Sequence, residues 1–541
     1  MNSIFETLLK KRGLKTKAQI ESFLHPSYDR LSDPMLLPDV EQAIKRLKIA
    51  HKKKEKIVIY GDYDIDGLSA TTLLFDAFRQ FGLDVSTFIP SRFDEGYGLS
   101  SDAIEKLSGE GAQLIVTVDC GSLSIDEIAN AKKLGVDVIV TDHHNIGDEL
   151  PDAVAIINPK RTDHKYPFKD FSGVGVAFGL VRAMQKHMKG LEEGHEKWLL
   201  DLVALGTICD IVPLTGENRV LAYWGLKVMS QTRRPGIKAL MAVAKIDPSH
   251  ITARSLGFGL GPRLNASGRL ETAQVSLDLL TADENSKALE LAQELDGMNQ
   301  MRRKEQNRIV QEAGQLIGQY EKDHVLVLSS TSWNHGIVGI VAAKIVESHH
   351  KPTFVLQELG DETKGSARSF GDFSVGEAIR FSQKHIIKGG GHHLAAGVTL
   401  HTTHIEKFRV SVNEYYKSLE LSDQKTHLRP KAEVTIGSFE NIDEELVMHI
   451  NQLEPFGDGN AQPVFSIEQL VVVDIRTMGD QKQHVKLTLR DGSGRTMQFL
   501  AFNAPRHFFV QPRDTVNVWC TFDMNEWMGR RSVEGRLLEV A

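Results

Sequence analysis

Cysteine is scarce: three in 541 residues, at Cys120, Cys209 and Cys520. None forms a C-x-x-C pair, which argues against a disulfide framework or a structural zinc site and fits a reducing cytoplasm. No stretch approaches the roughly 18 consecutive apolar residues of a membrane span. The first residues, Met1-Asn2-Ser3-Ile4-Phe5-Glu6, lead into Lys10-Lys11-Arg12 without the apolar region of a secretory signal. A Walker loop is missing, so nucleotide-driven work is not indicated. Excess positive charge is missing too, with 64 Lys and Arg against 71 Asp and Glu. Net charge governs solubility and encounter, however, and an acidic protein can still carry a basic groove.

What is present is ordinary globular composition, 41% apolar and 25% charged, long enough for three or four domains. Residues 1–50 read as a polar helical segment, and His51-Lys52-Lys53-Lys54 as a solvated helix end. Ile57-Val58-Ile59-Tyr60, Leu114–Val118, Val136–Val140 and Val154–Ile157 are apolar runs of strand length. Helical patterns lie between them at Gly67–Phe81 and Ser124–Leu134. Such alternation predicts a parallel sheet covered on both faces. Residues 172–245 read as mostly helical. Over 283–319, Leu291, Leu295, Met298, Ile309, Ala313 and Leu316 recur at helical spacing. They predict a helix of about 50 Å, N-capped by Asp283 and carrying Arg302, Arg303, Lys304 and Arg308. A second α/β unit follows over 324–415, and 420–429 is the linker candidate. Beyond 430, Val485, Leu487 and Leu489 alternate with polar residues and Asp491-Gly492 marks a hairpin.

The sharpest feature is Gly61-Asp62-Tyr63-Asp64-Ile65-Asp66-Gly67, three carboxylates in five residues directly after a buried strand. Their mutual repulsion grows with desolvation, and a hard divalent cation relieves it. A calcium loop is excluded, because its twelfth position would be Leu73 where a bidentate Glu is needed. Asp119 follows the next strand, and Asp142-His143-His144 the one after. Alone, Asp119 reads as a helix cap and Asp142 as a residue that orients an imidazole. Together they crowd one edge of an open parallel sheet, where ligands bind beyond the carboxyl ends of the strands. Asp210 ends the apolar stretch Leu199–Cys209; it is a helix terminator, or a further carboxylate of the cluster if that segment packs back on the sheet. So many ligands suit two ions about 3.5–4 Å apart, as in phosphatases and nucleases.

Asp142-His143-His144 is the namesake triplet of the DHH phosphoesterases. With Gly61–Gly67, Asp119 and Cys209-Asp210-Ile211-Val212-Pro213-Leu214, it resembles the RecJ branch of that family, the single-strand-specific 5′→3′ DNA exonucleases. Gly261–Arg269 resembles the RecJ segment before the long helix, Gly389–Gly397 the glycine-rich stretch of the DHHA1 domain, and Leu453–Asn460 the start of the OB domain. The resemblance implies an α/β fold: a parallel-sheet DHH core (51–270) joined by a long helix (271–322) to a smaller α/β DHHA1 domain (323–420), with an all-β OB-like domain at 430–541.

It further implies that Asp62, Asp64, Asp66, Asp119, His143 and Asp210 ligate two Mn²⁺ or Mg²⁺ ions, Asp119 bridging them. Smaller family members carry a His where this chain has Tyr60, and Asp62 compensates. His144, with Asp142 beside it, faces the scissile phosphate. Arg92, after the second strand, and Ser366 and Arg368 hold phosphate; Gly390, His392 and His335 are further contacts. Arg263, Asn265 and Arg269 either grip the strand or cap and pack. In the OB domain, Trp527 near Arg530-Arg531 is a stacking candidate. The implied substrate is single-stranded DNA with a 5′ end, cut to nucleoside 5′-monophosphates in DNA repair and recombination. The implied setting is a cytoplasmic monomer served by a single-strand-binding protein and a helicase. Two other readings are a phosphodiesterase for oligoribonucleotides or cyclic dinucleotides and a non-catalytic DNA-binding scaffold.

Overall fold

The computed structural model describes residues 2–91, 98–270, 272–419, 421, 430–527 and 529–541. Five strands, β1 (Lys56–Tyr60), β2 (Asp84–Phe88), β3 (Leu114–Val118), β4 (Asp137–Thr141) and β5 (Ala155–Ile157), form a parallel sheet ordered β2-β1-β3-β4-β5. Their apolar runs are continuous because both faces are covered. Ile57, Ile59, Val116, Val118 and Ile139 pack under helices Val40–Lys53, Ile65–Gln80, Gly173–His187 and Leu200–Cys209. Val58, Tyr60, Ile115, Val138 and Val140 pack under Ser101–Gly109 and Ile125–Lys133. From β1 the chain moves first to one side, to β2, and then to the other, to β3. The strand order therefore reverses beside β1 and opens a crevice at the carboxyl ends of β1 and β3.

The long helix runs Asn285–Ile317. Glu284, not the expected Asp283, holds its N-cap position, and no side chain caps it. A separate helix, Gln274–Thr281, precedes it, because Ala282 and Glu284 are both extended. The second sheet comprises β6 (Leu326–Ser330), β7 (Thr353–Leu359), β8 (Glu362–Arg368), β9 (Lys388–Gly391) and β10 (Ala395–His401), in the order β6-β7-β8-β10-β9. Only β6 and β7 pair in parallel.

After β11 (Val434–Ile436), the strands β12 (Phe465–Met478), β13 (His484–Arg490), β14 (Thr496–Ala501), β15 (Thr515–Trp527) and β16 (Arg530–Val540) form a closed barrel, since β15 also pairs with β12. The all-β expectation for this part needs one amendment, the helix Glu444–Asn451, whose Leu446, Val447 and Ile450 plug the barrel core.

The polar helical segment at the start does not behave as one unit. Helices Ser3–Lys11 and Lys17–Leu24 bury Ile4, Phe5, Leu8, Leu9 and Leu24 in the barrel's core, while Val40–Lys53 belongs to the first sheet. Phe5 stacks on His449 with ring centroids 4.9 Å apart. Arg12 donates to both carboxylate oxygens of Glu433 (2.9 and 2.7 Å) and to Asn460 (2.7 Å). Buried Arg219, from the helix Gly216–Met229, donates to the carbonyls of Phe23, Leu453 and Glu454 at 2.9–3.1 Å. Among the described residues no helix is long and apolar enough to cross a membrane.

Candidate active site

The glycines that bracket the acidic turn are there for space. A Cβ on Gly67 would lie 2.6 Å from the Asp62 carbonyl oxygen, and one on Gly61 would meet Thr71 Oγ1 at 2.1 Å. Asp64 N-caps the helix Ile65–Gln80 by accepting from the Gly67 amide at 3.0 Å. Asp66, in the first turn of that helix, accepts from the amides of Gly173 and Val174 at the start of another helix, a helix end that favours a carboxylate. Asp119 leaves β3 with a left-handed φ of 61°, a strained setting for a residue other than glycine. A Cβ on Gly173 would sit 2.7 Å from its side chain. After β4, Asp142 accepts from the amides of Ser122 (2.9 Å), His143 (2.7 Å) and His144 (3.0 Å), and from His144 Nδ1 at 2.9 Å. Asp210 is the C-cap of the helix Leu200–Cys209, which does pack back on Ile65–Gln80.

These elements bring seven of the expected residues together. His143 Nε2 lies 3.0 Å from Asp119 Oδ1, 3.6 Å from Asp210 Oδ2 and 3.8 Å from Asp66 Oδ2, yet among the described residues this nitrogen makes no hydrogen bond. Three sets offer ligand atoms within 4.8 Å of one another: Asp119, His143 and His144; Asp66, His143 and Asp210; Asp62, Asp64 and Asp119. Burial, then the charges of Asp210 and Asp64, push Asp66 far above the usual carboxylate range. Asp119 rises likewise, through burial and the charges of Asp66, Asp64 and Asp62. Asp210 is raised to about 7 by burial and Asp64. Burial, helped by His144, lowers His143 to about 4. For His144 burial opposes the charged form, but the Asp142 hydrogen bond and carboxylate charge outweigh it and its pKa rises. Neutral imidazole among oxyanions that resist ionising is a donor set completed by hard divalent cations, and the residues fit Mn²⁺ or Mg²⁺.

Beside this cluster lies a cavity of about 1140 Å³, walled by Ile65 and Cys209, by Asn265, Arg269, Arg302 and Ile340, and by Phe456, Phe502 and Arg536 of the barrel part. Asn265 and Arg269 thus face it, and Arg269 also donates to the Gly336 carbonyl at 3.1 Å. Arg263 does not line it. Its guanidinium is spent on Asp296 of the long helix (2.8 Å) and the Gly259 carbonyl (2.8 Å), so packing accounts for it. His335 is engaged with Gln357 through its amide and Nδ1, both 2.8 Å. Ser366 and Arg368 alternate on β8 and share the side next to Gly339, where a Cβ would lie 3.4 Å from both side chains. Burial alone lowers the Arg368 pKa. Gly390 pairs with Gly397, and His392 is exposed. Arg92 and the Trp527 side chain lie outside the described residues.

Sequence reasoning passed over the amides of Gly173 and Val174, signalled by the glycine-rich Ser172-Gly173-Val174-Gly175. It also passed over the segment after β5. There Asn158 holds Ser122 and the His144 carbonyl (both 2.9 Å), and Lys160 Nζ reaches Asn145 Oδ1 at 3.3 Å. The signal was position: both residues follow a strand at the same sheet edge as the carboxylates.

The chain matches the DHH family N-terminal domain over residues 56–207, the DHHA1 domain over 322–418 and the RecJ OB domain over 436–539. Fold and site thus define a phosphoesterase of the DHH class with two accessory domains. Full-length comparison is narrower. The chain is 36% identical over 539 residues to the single-stranded-DNA-specific exonuclease RecJ of Bacillus subtilis, covering 99% of this chain and 67% of that protein. It is 34% identical over 559 residues to the Escherichia coli RecJ, covering 98% and 94%. The chain belongs to the RecJ family. Among solved structures it is similar to Thermus thermophilus RecJ in complex with Mn²⁺ (27% identity, TM-score 0.83, 100% of this chain and 76% of that one). It is also similar to the same protein with Mg²⁺ (26% identity, TM-score 0.80, 100% and 74%).

Proposed function

We propose that this chain is a metal-dependent exonuclease that degrades single-stranded DNA from its 5′ end and releases nucleoside 5′-monophosphates. The observation that carries this reading is the convergence of Asp62, Asp64, Asp66, Asp119, His143 and Asp210 at one sheet edge, beside a cavity bounded by the barrel part. In this reading those six residues would hold two Mn²⁺ or Mg²⁺ ions. Bound there, such ions activate water and neutralise charge on a phosphodiester. The chain's own groups do the rest. The amides of Gly173 and Val174 fix Asp66. Asp142 fixes His144 through Nδ1, which leaves Nε2 to present a proton to the scissile phosphate. Lys160 adds positive charge at the same edge.

Ser366 and Arg368, beside the start of the helix Val338–His349, hold the 5′ phosphate. A cavity hemmed by sheet edge, long helix and barrel part admits one strand and excludes a duplex. A phosphodiesterase for dinucleotides would need no such enclosure. The setting proposed is a cytoplasmic monomer in DNA repair and recombination, working with a single-strand-binding protein and a helicase.

A time course on long strands labelled at either end, with either end blocked, tests the reading. Mononucleotides should appear from the 5′ end with Mn²⁺ or Mg²⁺ and not without. Equal loss from both ends, or attack on duplex at the same rate, overturns it. Arg368→Ala should cut the preference for 5′-phosphorylated over 5′-hydroxyl strands about tenfold, read as the ratio of the two kcat/KM values.

A further inference from the structure

Five cations stand on the long helix, and the structure sorts them: Lys287, near its start, pairs with Glu290 at 3.2 Å. Arg303 and Lys304 are exposed, and Arg308 is neutralised by Glu305 (2.6 Å) and Glu312 (2.5 Å). Arg302 differs from all four: it is 7% exposed and lines the cavity. Its guanidinium is held by neutral oxygens of its own helix. Nε and Nη2 lie 3.2 and 3.0 Å from Asn299 Oδ1, and Nη1 lies 3.1 Å from Gln306 Oε1. Asn299 and Gln306 are themselves buried.

Among the described residues no ion pair neutralises Arg302, whereas the cavity-lining Arg536 has Asp523 at 3.4 Å. Burial and the neighbouring Arg303 lower its pKa. A desolvated cation without a counter-charge is costly and is not kept for packing alone. The fork has five N–H donors, of which the three bonds use three. One remains on Nη1 and one on Nη2, the arrangement that meets two oxygens of a phosphate.

We propose that Arg302 is a substrate-binding residue that grips one internucleotide phosphate of the single strand inside the cavity, with Asn299 and Gln306 locking the fork in place. This rests on the exonuclease reading above and adds a fixed point to the strand's path. The contact is to the backbone, so it is indifferent to base sequence.

The test scans one neutral methylphosphonate linkage along a 5′-phosphorylated strand and measures equilibrium binding without added metal, then KM and kcat with Mn²⁺. Wild-type protein should show one sensitive linkage at a fixed distance from the 5′ end. Arg302→Gln should erase that sensitivity, raise KM about tenfold with kcat within about twofold, and reduce the salt slope of log K by about 0.7, the value of one single-strand phosphate. Asn299→Ala, which keeps the charge but unlocks the fork, should give a smaller rise in KM and keep the slope. It also carries the test should Arg302→Gln fail to fold. An unchanged linkage profile and slope in Arg302→Gln, or full sensitivity with normal KM in Asn299→Ala if only that variant folds, overturns the proposal. Wild-type protein that binds with a sensitive linkage but degrades nothing would instead overturn the exonuclease reading, so the two failures are distinguishable.

Discussion

Asp119 occupies a left-handed backbone position 3.0 Å from His143 and belongs to two of the three groups of side chains able to hold a cation. Asp119→Asn keeps the shape and tolerates the φ, but removes the charge. It should lower Mn²⁺-dependent hydrolysis more than about 100-fold while single-strand binding changes little; titration calorimetry with Mn²⁺ and a gel-shift assay check both halves. The raised carboxyls also set a pH dependence. Asp66, Asp119, Asp210 (about 7) and His144 all have folded pKa values above their ordinary ones. The folded, metal-free protein therefore binds more protons than the unfolded chain, and its stability falls as pH rises through that range. His143, lowered to about 4, is neutral in both states above its ordinary range and does not oppose this. Between pH 6.5 and 8.5 the melting temperature of metal-free protein should drop, the drop should shrink in Asp210→Asn, and Mn²⁺ binding should release more protons at pH 6.5 than at 8.5. Calorimetry in buffers of different ionisation enthalpy measures that release. The carboxylates were legible in the sequence because each directly follows a buried strand or an apolar helix, and topology alone brings such positions to one edge. Arg263 was not legible, because its partner Asp296 is 33 residues away on a different helix.

At the level of elements, the helix Pro235–Val243 is secured by Arg234 just before it. Arg234 reaches Asp76 on Ile65–Gln80 at 2.5 Å and Asp201 on Leu200–Cys209 at 3.3 Å, and Thr232 donates to Asp201 at 2.6 Å. Arg234→Met leaves Asp201 buried with one partner gone. It should destabilise the protein by about 3–5 kcal/mol, read as a lower urea midpoint, with hydrolysis per folded molecule retained. Period and length sufficed to find β1, β3 and the long helix, since a strand buried on both faces or a helix with a steady apolar stripe announces itself. The break at Ala282–Glu284 was legible to within one residue through the expected cap at Asp283, whereas the separate helix Gln274–Thr281 was taken into the long helix. The helix Glu444–Asn451 is short, and its Leu446, Val447 and Ile450 mimic a strand's apolar run.

On the scale of the whole molecule, periodicity reveals that a helix has an apolar face but not what covers it. Hence the first 50 residues read as one segment although Phe5 and Leu8 belong to the barrel and Leu47 to the parallel sheet. Arg219, on the helix Gly216–Met229, is the rivet between these bodies, with its guanidinium 3.9 Å from the Phe23 ring and bonded to the carbonyls of Phe23, Leu453 and Glu454 on the barrel side. Arg219→Ala strands buried acceptors at a cost of about 2–3 kcal/mol. Hydrogen exchange should rise in residues 3–24 and 453–460 and stay unchanged in β1, β3 and β4, while KM for long strands increases and kcat on short ones holds. The seating of Ser3–Lys11 against β11 and Glu444–Asn451 has a consequence for synthesis. While the ribosome is still making the chain, this helix has no surface to dock on. Ile4, Phe5, Leu8 and Leu9 stay bare until more than 400 later residues have emerged. The parallel sheet is thus complete before the barrel that covers these side chains exists.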